Sequence, residues 1–417
     1  LPRNKNFTIN PRLFFYPDAS WSIMLGHSYT WGWNTGGDMV QIKGNGNALH
    51  TYFEENSTVR NTTTLEIDKK FKSGNILKLK QSLGLFDRVI TLPAYAFSGF
   101  NTNSFTDVSY LLKKKKHTII SGLNIVYDKF KHRNMRVVDA QTFTVGGYIQ
   151  DTWDVTNRVI LESGLRVDNM NFKNAGYAKN QTFVLPRVSA LFKISNKISS
   201  RIGGGLGYKT PTVFTEETER LQYQKLQALN KVEAERSVGG TADINFKTKI
   251  TGALTFSINQ LFFYTGISKP LVLSVDGFGN YSFSNAARAV TSSGFETNLK
   301  FIYKEDLKLF VGYTFTHAKA GYLAGNQFLR LVPKNKLNLT LMYEKENNFK
   351  LGLEGYFTDN QFLNSGTRTP SFWEFGFMAQ KTFRKVSVFI NFENFTDQRQ
   401  SNYKTVANAP HNNPSFD

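Results

Sequence analysis

Apolar side chains recur at every second position along most of this chain, and the positions between them are polar or charged. In RVILESGLRVD (158–168), Val159, Leu161, Leu165 and Val167 form one set, with Ser163 the exception, while Glu162, Gly164, Arg166 and Asp168 form the other. The same alternation runs through LKLFVGYTF (307–315), KLNLTLMYE (336–344) and FKLGLEGYF (349–357). In VFINFENF (388–395), Val388, Ile390 and Phe392 alternate with Phe389, Asn391 and Glu393. A period of two puts successive side chains on opposite faces of a strand, so each strand needs one apolar and one wet environment. A slip of one residue would exchange the faces, so the surroundings must hold the register.

The connections alternate as well. Short polar turns at 16–20, 72–75, 113–117, 154–157, 195–197, 247–249, 304–306, 345–348 and 384–385 are separated by longer segments. Those segments lie near 35–57, 90–102, 131–138, 173–181, 210–231, 267–286, 321–332 and 364–370. This rhythm sorts tight turns to one end of a sheet and long loops to the other. About 18 strands are predicted, more than an open sheet carries without curling or closing. The expected fold is all-β, a transmembrane antiparallel up-and-down β-barrel. Hydrophobic residues make up only 40% of the chain, and no apolar run reaches the roughly 18 residues of a membrane helix. Barrel strands need only about 9 to 11 residues with one apolar face, so the apolar sets are expected against lipid. Tyr16, Trp21, Tyr303, Tyr343 and Phe349 near tight turns, with Trp31 and Phe357 near long loops, predict two aromatic girdles.

Cysteine is absent, which removes disulfides, thiolate metal sites and cysteine nucleophiles together. Lys and Arg number 51 against 32 Asp and Glu, a net charge of +19 that favours acidic partners. The basic residues are spread over many strands and form no nucleic-acid motif, so phosphate-bearing lipid and anionic chelates are the expected partners, and nucleic acid is not. The N-terminal Leu-Pro-Arg-Asn-Lys lacks the charged-then-apolar pattern of a signal peptide. No enzyme is expected: there is no His-Glu-x-x-His, Gly-x-Ser-x-Gly or Walker loop. GGGLGY (203–208) lacks the helix that a phosphate cradle requires and reads as strand glycines. FTEETER (214–220) reads as a solvated acidic patch, and KKKK (113–116) as a solvated turn. Glu162, Arg166 and Asp168 read as an interior charge network.

Seven stretches, in order, resemble the barrel of TonB-dependent outer-membrane receptors. They are GGYIQDTWDVTNRVILESGLRVDN (146–169), LPRVSALF (185–192), GLGYKTPTVF (205–214), LNKVEAERSVGGTADINF (229–246), SNAARAVTSSGFETNLKF (284–301), VPKNKLNLTLMY (332–343) and INFENFTDQRQSNY (390–403). Val232 and Ala234 depart from the family's usual residues. The resemblance implies a 22-stranded barrel around an N-terminal plug. Residues 1–417 are therefore expected to be a single, partial barrel domain, without plug, first strands or closing strand and with two open edges, APHNNPSFD (409–417) falling in the last external loop.

The resemblance further implies a multi-pass protein of the bacterial outer membrane, surrounded by lipid and lipopolysaccharide. Its implied activity is uptake energised by the TonB–ExbB–ExbD complex through the plug. The implied ligand is a small molecule, foremost a ferric siderophore, with no resident cofactor. Cobalamin, haem, copper, a glycan or a peptide are alternatives, as is a passive porin or adhesin. Ligand contacts are expected at lumen-facing loop bases, where rings stack and cations pair with oxyanions. The candidates are Trp31, Trp33, Tyr95, Phe97, Phe100, Arg133, Arg136, Tyr177, Phe214, Arg220, Tyr223, Phe278 and Tyr281. His50, His132 and Met135 are a weaker alternative set for a soft metal or haem. No metal site is otherwise expected. A soluble propeller would show a repeat of about 40 to 50 residues, and none is present.

Overall fold

The computed structural model describes residues 3–363, 366–399, 407–408 and 415–416. Its wall begins with β1 (Arg3–Ile9), β2 (Arg12–Phe15), β3 (Trp21–Gly37), β4 (Phe53–Lys70), β5 (Ile76–Leu92) and β6 (Tyr95–Lys114). It continues through β7 (His117–His132), β8 (Ala140–Asp154), β9 (Val159–Asn174), β10 (Tyr177–Lys193), β11 (Ile198–Lys209), β12 (Glu235–Lys249) and β13 (Leu254–Ser268). A separate hairpin, β14 (Leu271–Val275) with β15 (Tyr281–Asn285), precedes β16 (Val290–Tyr303), β17 (Leu307–Ala320), β18 (Asn335–Lys345), β19 (Phe349–Thr358), β20 (Phe372–Phe383) and β21 (Val386–Phe392). Two short helices, α1 (Met39–Ile42) and α2 (Glu216–Arg220), lie in loops.

Every wall strand pairs antiparallel with its sequence neighbour in one 19-stranded sheet. β1 and β2 are two halves of one crossing, interrupted where Pro11 has no N–H to give. The His27 N–H still donates to the Pro11 carbonyl at 3.1 Å, so the register carries through. Counted that way the sheet crosses 18 times, as the alternation predicts. Among the described residues, β1 and β2 pair with β3 alone and β21 with β20 alone, leaving an edge at each end.

Cross-strand pairing sorts the two faces. Leu123, Val145, Val167 and Val184 share the outer face, and Leu123 is 66% exposed. The inner face carries ion pairs: Lys78 with Glu66 and Asp68 at 2.6 and 3.1 Å, and Lys308 with Glu344 at 2.8 Å. Arg166 pairs with Asp168 at 2.9 Å, while Glu162 turns to Arg187 at 3.7 Å. An apolar outer face and a charged inner one invert the arrangement of a soluble protein and suit a wall between hydrocarbon and water.

Two expected loops are absent as loops. Segment 90–102 is the tip of the β5–β6 hairpin, turned by Pro93 and Ala94, and 173–181 is the tip of β9–β10. Ala175 (φ 38°) and Gly176 (φ 95°) both adopt the left-handed region that a two-residue turn requires. The alternation changes phase there. Along β9 the outer face runs Leu165, Val167, Asn169, Asn171, Lys173, and the inner face runs Arg166, Asp168, Met170, Phe172. Above Asp168 the wet face is therefore outside and the apolar face inside, which marks where the strand leaves the bilayer.

The expected last external loop, 409–417, lies outside the described residues except for Ser415 and Phe416, which pair with Ala407 and Asn408. The last four residues of the 390–403 stretch also lie outside them.

Candidate functional site

The inverted strand ends and the long loop at 210–234 meet in the one apolar core of the described residues, inside the long-loop end of the wall. Ile90, Phe97, Phe130, Met170, Phe172 and Phe183 come from β5–β7, β9 and β10. Val213, Tyr223, Leu226, Leu229 and Val232 come from the loop. Gly99 faces inward beside Phe130, where a Cβ would collide with the Phe130 ring, so glycine lets the ring lie flat against β6.

Polar contacts fix the loop over this core. Thr215 and Thr218 form a reciprocal cap that starts α2. Arg88 donates Nη1 to Glu219 Oε2 at 2.9 Å and Nη2 to Oε1, a two-pronged fork, and Nε to Asn56 at 3.2 Å. The Tyr223 hydroxyl also donates to Glu219. Burial pushes the Glu219 carboxyl up, but the Arg88 and Tyr223 hydrogen bonds outweigh it and hold the pKa below the ordinary value. Burial, then the Glu219 hydrogen bond, raises the Tyr223 pKa. Further along, Asn174 accepts from the Leu229 N–H at 2.6 Å, Gln181 from the Ala234 N–H at 2.9 Å, and the Tyr177 hydroxyl donates to the Val232 carbonyl at 2.9 Å. The β14–β15 hairpin closes the other side through Gln227 and Tyr281, and Lys269 pairs with Glu233 at 2.5 Å. FTEETER is thus not a freely solvated patch: its Glu219 is half of an anchoring ion pair.

Twelve of the thirteen candidates separate into three groups. Phe97 (1% exposed) and Tyr223 (3%) are stacked at 4.4 Å within the core, and Tyr95, Tyr177 and Tyr281 pack against it. Phe214 meets Phe130 edge-on at 4.6 Å with its outer side exposed, and Arg220 and Phe278 are exposed on α2 and at the β14–β15 turn. Trp31, Trp33 and Phe100 point away from the interior. Register puts both tryptophans on the face of Leu25, and Phe100 on that of Val108. Arg133 binds Asp87 and donates to Ser98 Oγ at 2.7 Å on that same outer side. Arg136 begins a short 3-10 turn, and its side chain lies outside the described residues.

His50, His132 and Met135 do not converge on a metal-binding set. His50 Nδ1 lies 2.8 Å from Asp38 Oδ2. His132 is buried, and its Nδ1 accepts the backbone N–H groups of Asn134 and Met135 at 2.9 and 2.7 Å, so that nitrogen is spent on the loop. Among the described residues no three His, Cys, Asp or Glu are placed to hold a metal. Sequence reasoning missed Arg88 and Glu219. The adjacent charges Asp87 and Arg88, set in the otherwise apolar stretch LGLFDRVI, were the available signal.

Comparison with known proteins decides the family. The model of the TonB dependent receptor-like β-barrel matches residues 2–395. The chain belongs to this family. Its barrel is similar in fold to the ferric-catecholate import receptor Fiu from E. coli K12, with TM-score 0.71 and 13% identity over 95% of this chain and 71% of that one. It is similar too to the copper transporter OprC, with TM-score 0.75, 14% identity, and 95% and 68% covered. The ferripyoverdine receptor of the Pseudomonas aeruginosa outer membrane gives TM-score 0.72, 13% identity, and 95% and 62% covered. The chain thus spans about two thirds of the length of these receptors. The TonB-dependent receptor barrel is an outer-membrane structure, which makes the short-turn end periplasmic and the long-loop end external. Its family and its structural neighbours are transport receptors rather than enzymes.

Proposed function

We propose that this barrel is the membrane-spanning part of a receptor that captures a ferric siderophore at the cell surface and passes it inward on energy supplied through TonB. Family membership carries the reading. The anchored external mouth supports it, because a loop held by a salt bridge, a ring stack and backbone hydrogen bonds presents a preorganised surface to a ligand. The net charge of +19 favours an anionic chelate by raising its local concentration. Copper is the second reading, favoured only by the likeness to OprC.

The test is calorimetric titration of the complete receptor, folded in detergent, with ferric siderophores, haem, cobalamin and copper. Saturable submicromolar binding of one ferric chelate, with loss of iron-limited growth in a strain lacking the receptor, is the expected result. Binding of copper alone would replace the siderophore by a metal ion, and silence across the panel would shift the ligand class to glycans or peptides.

A further inference from the structure

Loops 321–334 and 359–371, which join β17 to β18 and β19 to β20, are tied together at the external end. The Leu331 N–H donates to the Phe362 carbonyl at 2.9 Å. Phe328 stacks on Phe362 with centroids 5.7 Å apart and planes 6° from parallel. Phe362 and Arg368 form an antiparallel bridge inside their loop. Two guanidinium groups close on this one ring: Cζ of Arg368 lies 4.6 Å from the Phe362 centroid, and Cζ of Arg330 lies 5.9 Å away.

Neither arginine forms an ion pair among the described residues. The arginine ion pairs among the described residues belong to Arg88, Arg133, Arg166, Arg187 and Arg399. Among the described residues, Nη1 of Arg330 is buried without a hydrogen-bond partner. A ring face steadies a guanidinium but accepts no strong N–H bond, so the buried donor remains unsatisfied and an acceptor there would be favoured. The acceptor that fits a guanidinium fork is a planar oxyanion taking two parallel N–H bonds. Arg330 is also within electrostatic reach of Tyr322, whose pKa is raised by burial and then by Glu217 of α2 and Glu235 of β12, with Arg330 opposing.

We propose that Arg330 and Arg368, braced on Phe362, form an oxyanion subsite that takes the anionic oxygens of a small chelating ligand, a carboxylate or a catecholate. The identity of that ligand as a transported chelate rests on the function proposed above; the anion site does not.

The experiment compares the complete wild-type receptor with Arg330→Gln and Arg368→Gln, each checked for folding by heat-modifiable gel mobility. Calorimetry measures Kd for a ferric tris-catecholate, a ferric hydroxycarboxylate and an uncharged ferric trihydroxamate. Each variant is expected to raise Kd for the anionic chelate that binds by about tenfold or more, and to leave the neutral one unchanged. Unchanged affinities, or equal losses for charged and neutral chelates, would overturn the subsite. If wild type binds no chelate, the receptor reading fails separately. The subsite is then tested by phenylglyoxal modification of Arg330 and Arg368, mapped by mass spectrometry, with metal-free citrate as protectant. Slowed modification at both arginines supports it, and unslowed modification refutes it. Protection by phosphorylated outer-leaflet glycolipid but not by citrate would also refute it, in favour of a lipid headgroup.

Discussion

Arg88 and Glu219 show how much one pair can decide in a loop that crosses back over a wall. Their side chains are 18% and 46% exposed, so screening leaves the fork a modest contribution, about 0.5 to 1.5 kcal/mol to local rather than global stability. Glu219→Gln should therefore raise amide exchange at Tyr223 and Leu226 by roughly threefold to tenfold, read by mass spectrometry, while the barrel stays folded. The pH dependence has a definite sign. Because the Glu219 pKa is lowered on folding, its contribution is complete above the ordinary value of 4.5 and is lost as the pH falls through the lower folded value. Wild type should show the same loosening at acid pH, and Glu219→Gln should not show it. The pair joins positions 131 apart in sequence. No local pattern links them, which is why a solvated acidic patch was the natural reading of FTEETER.

At the scale of the strand, the phase change along β9 divides lipid from water. Val167, 43% exposed on the outer face below the change, should tolerate no charge: Val167→Arg is expected to cost about 2 to 4 kcal/mol in a urea titration of folding into vesicles. Asn171→Arg, on the same face above the change, should cost less than about 1 kcal/mol. Trp31 and Trp33 carry the corresponding optical prediction. On the outer face of β3, they should be quenched by brominated acyl chains in reconstituted membranes. Trp31→Phe with Trp33→Phe should remove a substantial part of that quenching and leave ligand affinity unchanged. Loss of affinity in the double variant would return them to the ligand site. A girdle place for Trp31 was expected from its position near a long loop, whereas its facing was not legible. The hairpin tips at 93–94 and 175–176 were hidden for a related reason. The rule of apolar outside and polar inside reverses above the membrane, so a strand that continues reads as a pattern that stops.

For the whole molecule, the decisive contrast lies between the wall and the mouth. Removing core volume from the mouth should uncouple the two: Phe97→Ala is expected to cost about 3 kcal/mol of mouth stability, seen as protease cutting within 210–234, while the barrel keeps its heat-modifiable mobility. Simultaneous loss of both would mean that loop and wall fold as one unit. The all-β class, the 18 crossings, the outward apolar set, the interior charges and most of the alternation of short and long connections, though not the tight tips at 93–94 and 175–176, followed from the sequence itself. Each follows from a period-two pattern set between two solvents, and that is local information repeated strand by strand. Which rings are packed and which are open, which arginine meets which carboxylate, and how Arg330 and Arg368 come to share Phe362 were decided by the tertiary structure. Most of those contacts join segments far apart in sequence, where no periodicity links the partners and only three-dimensional closure brings them together.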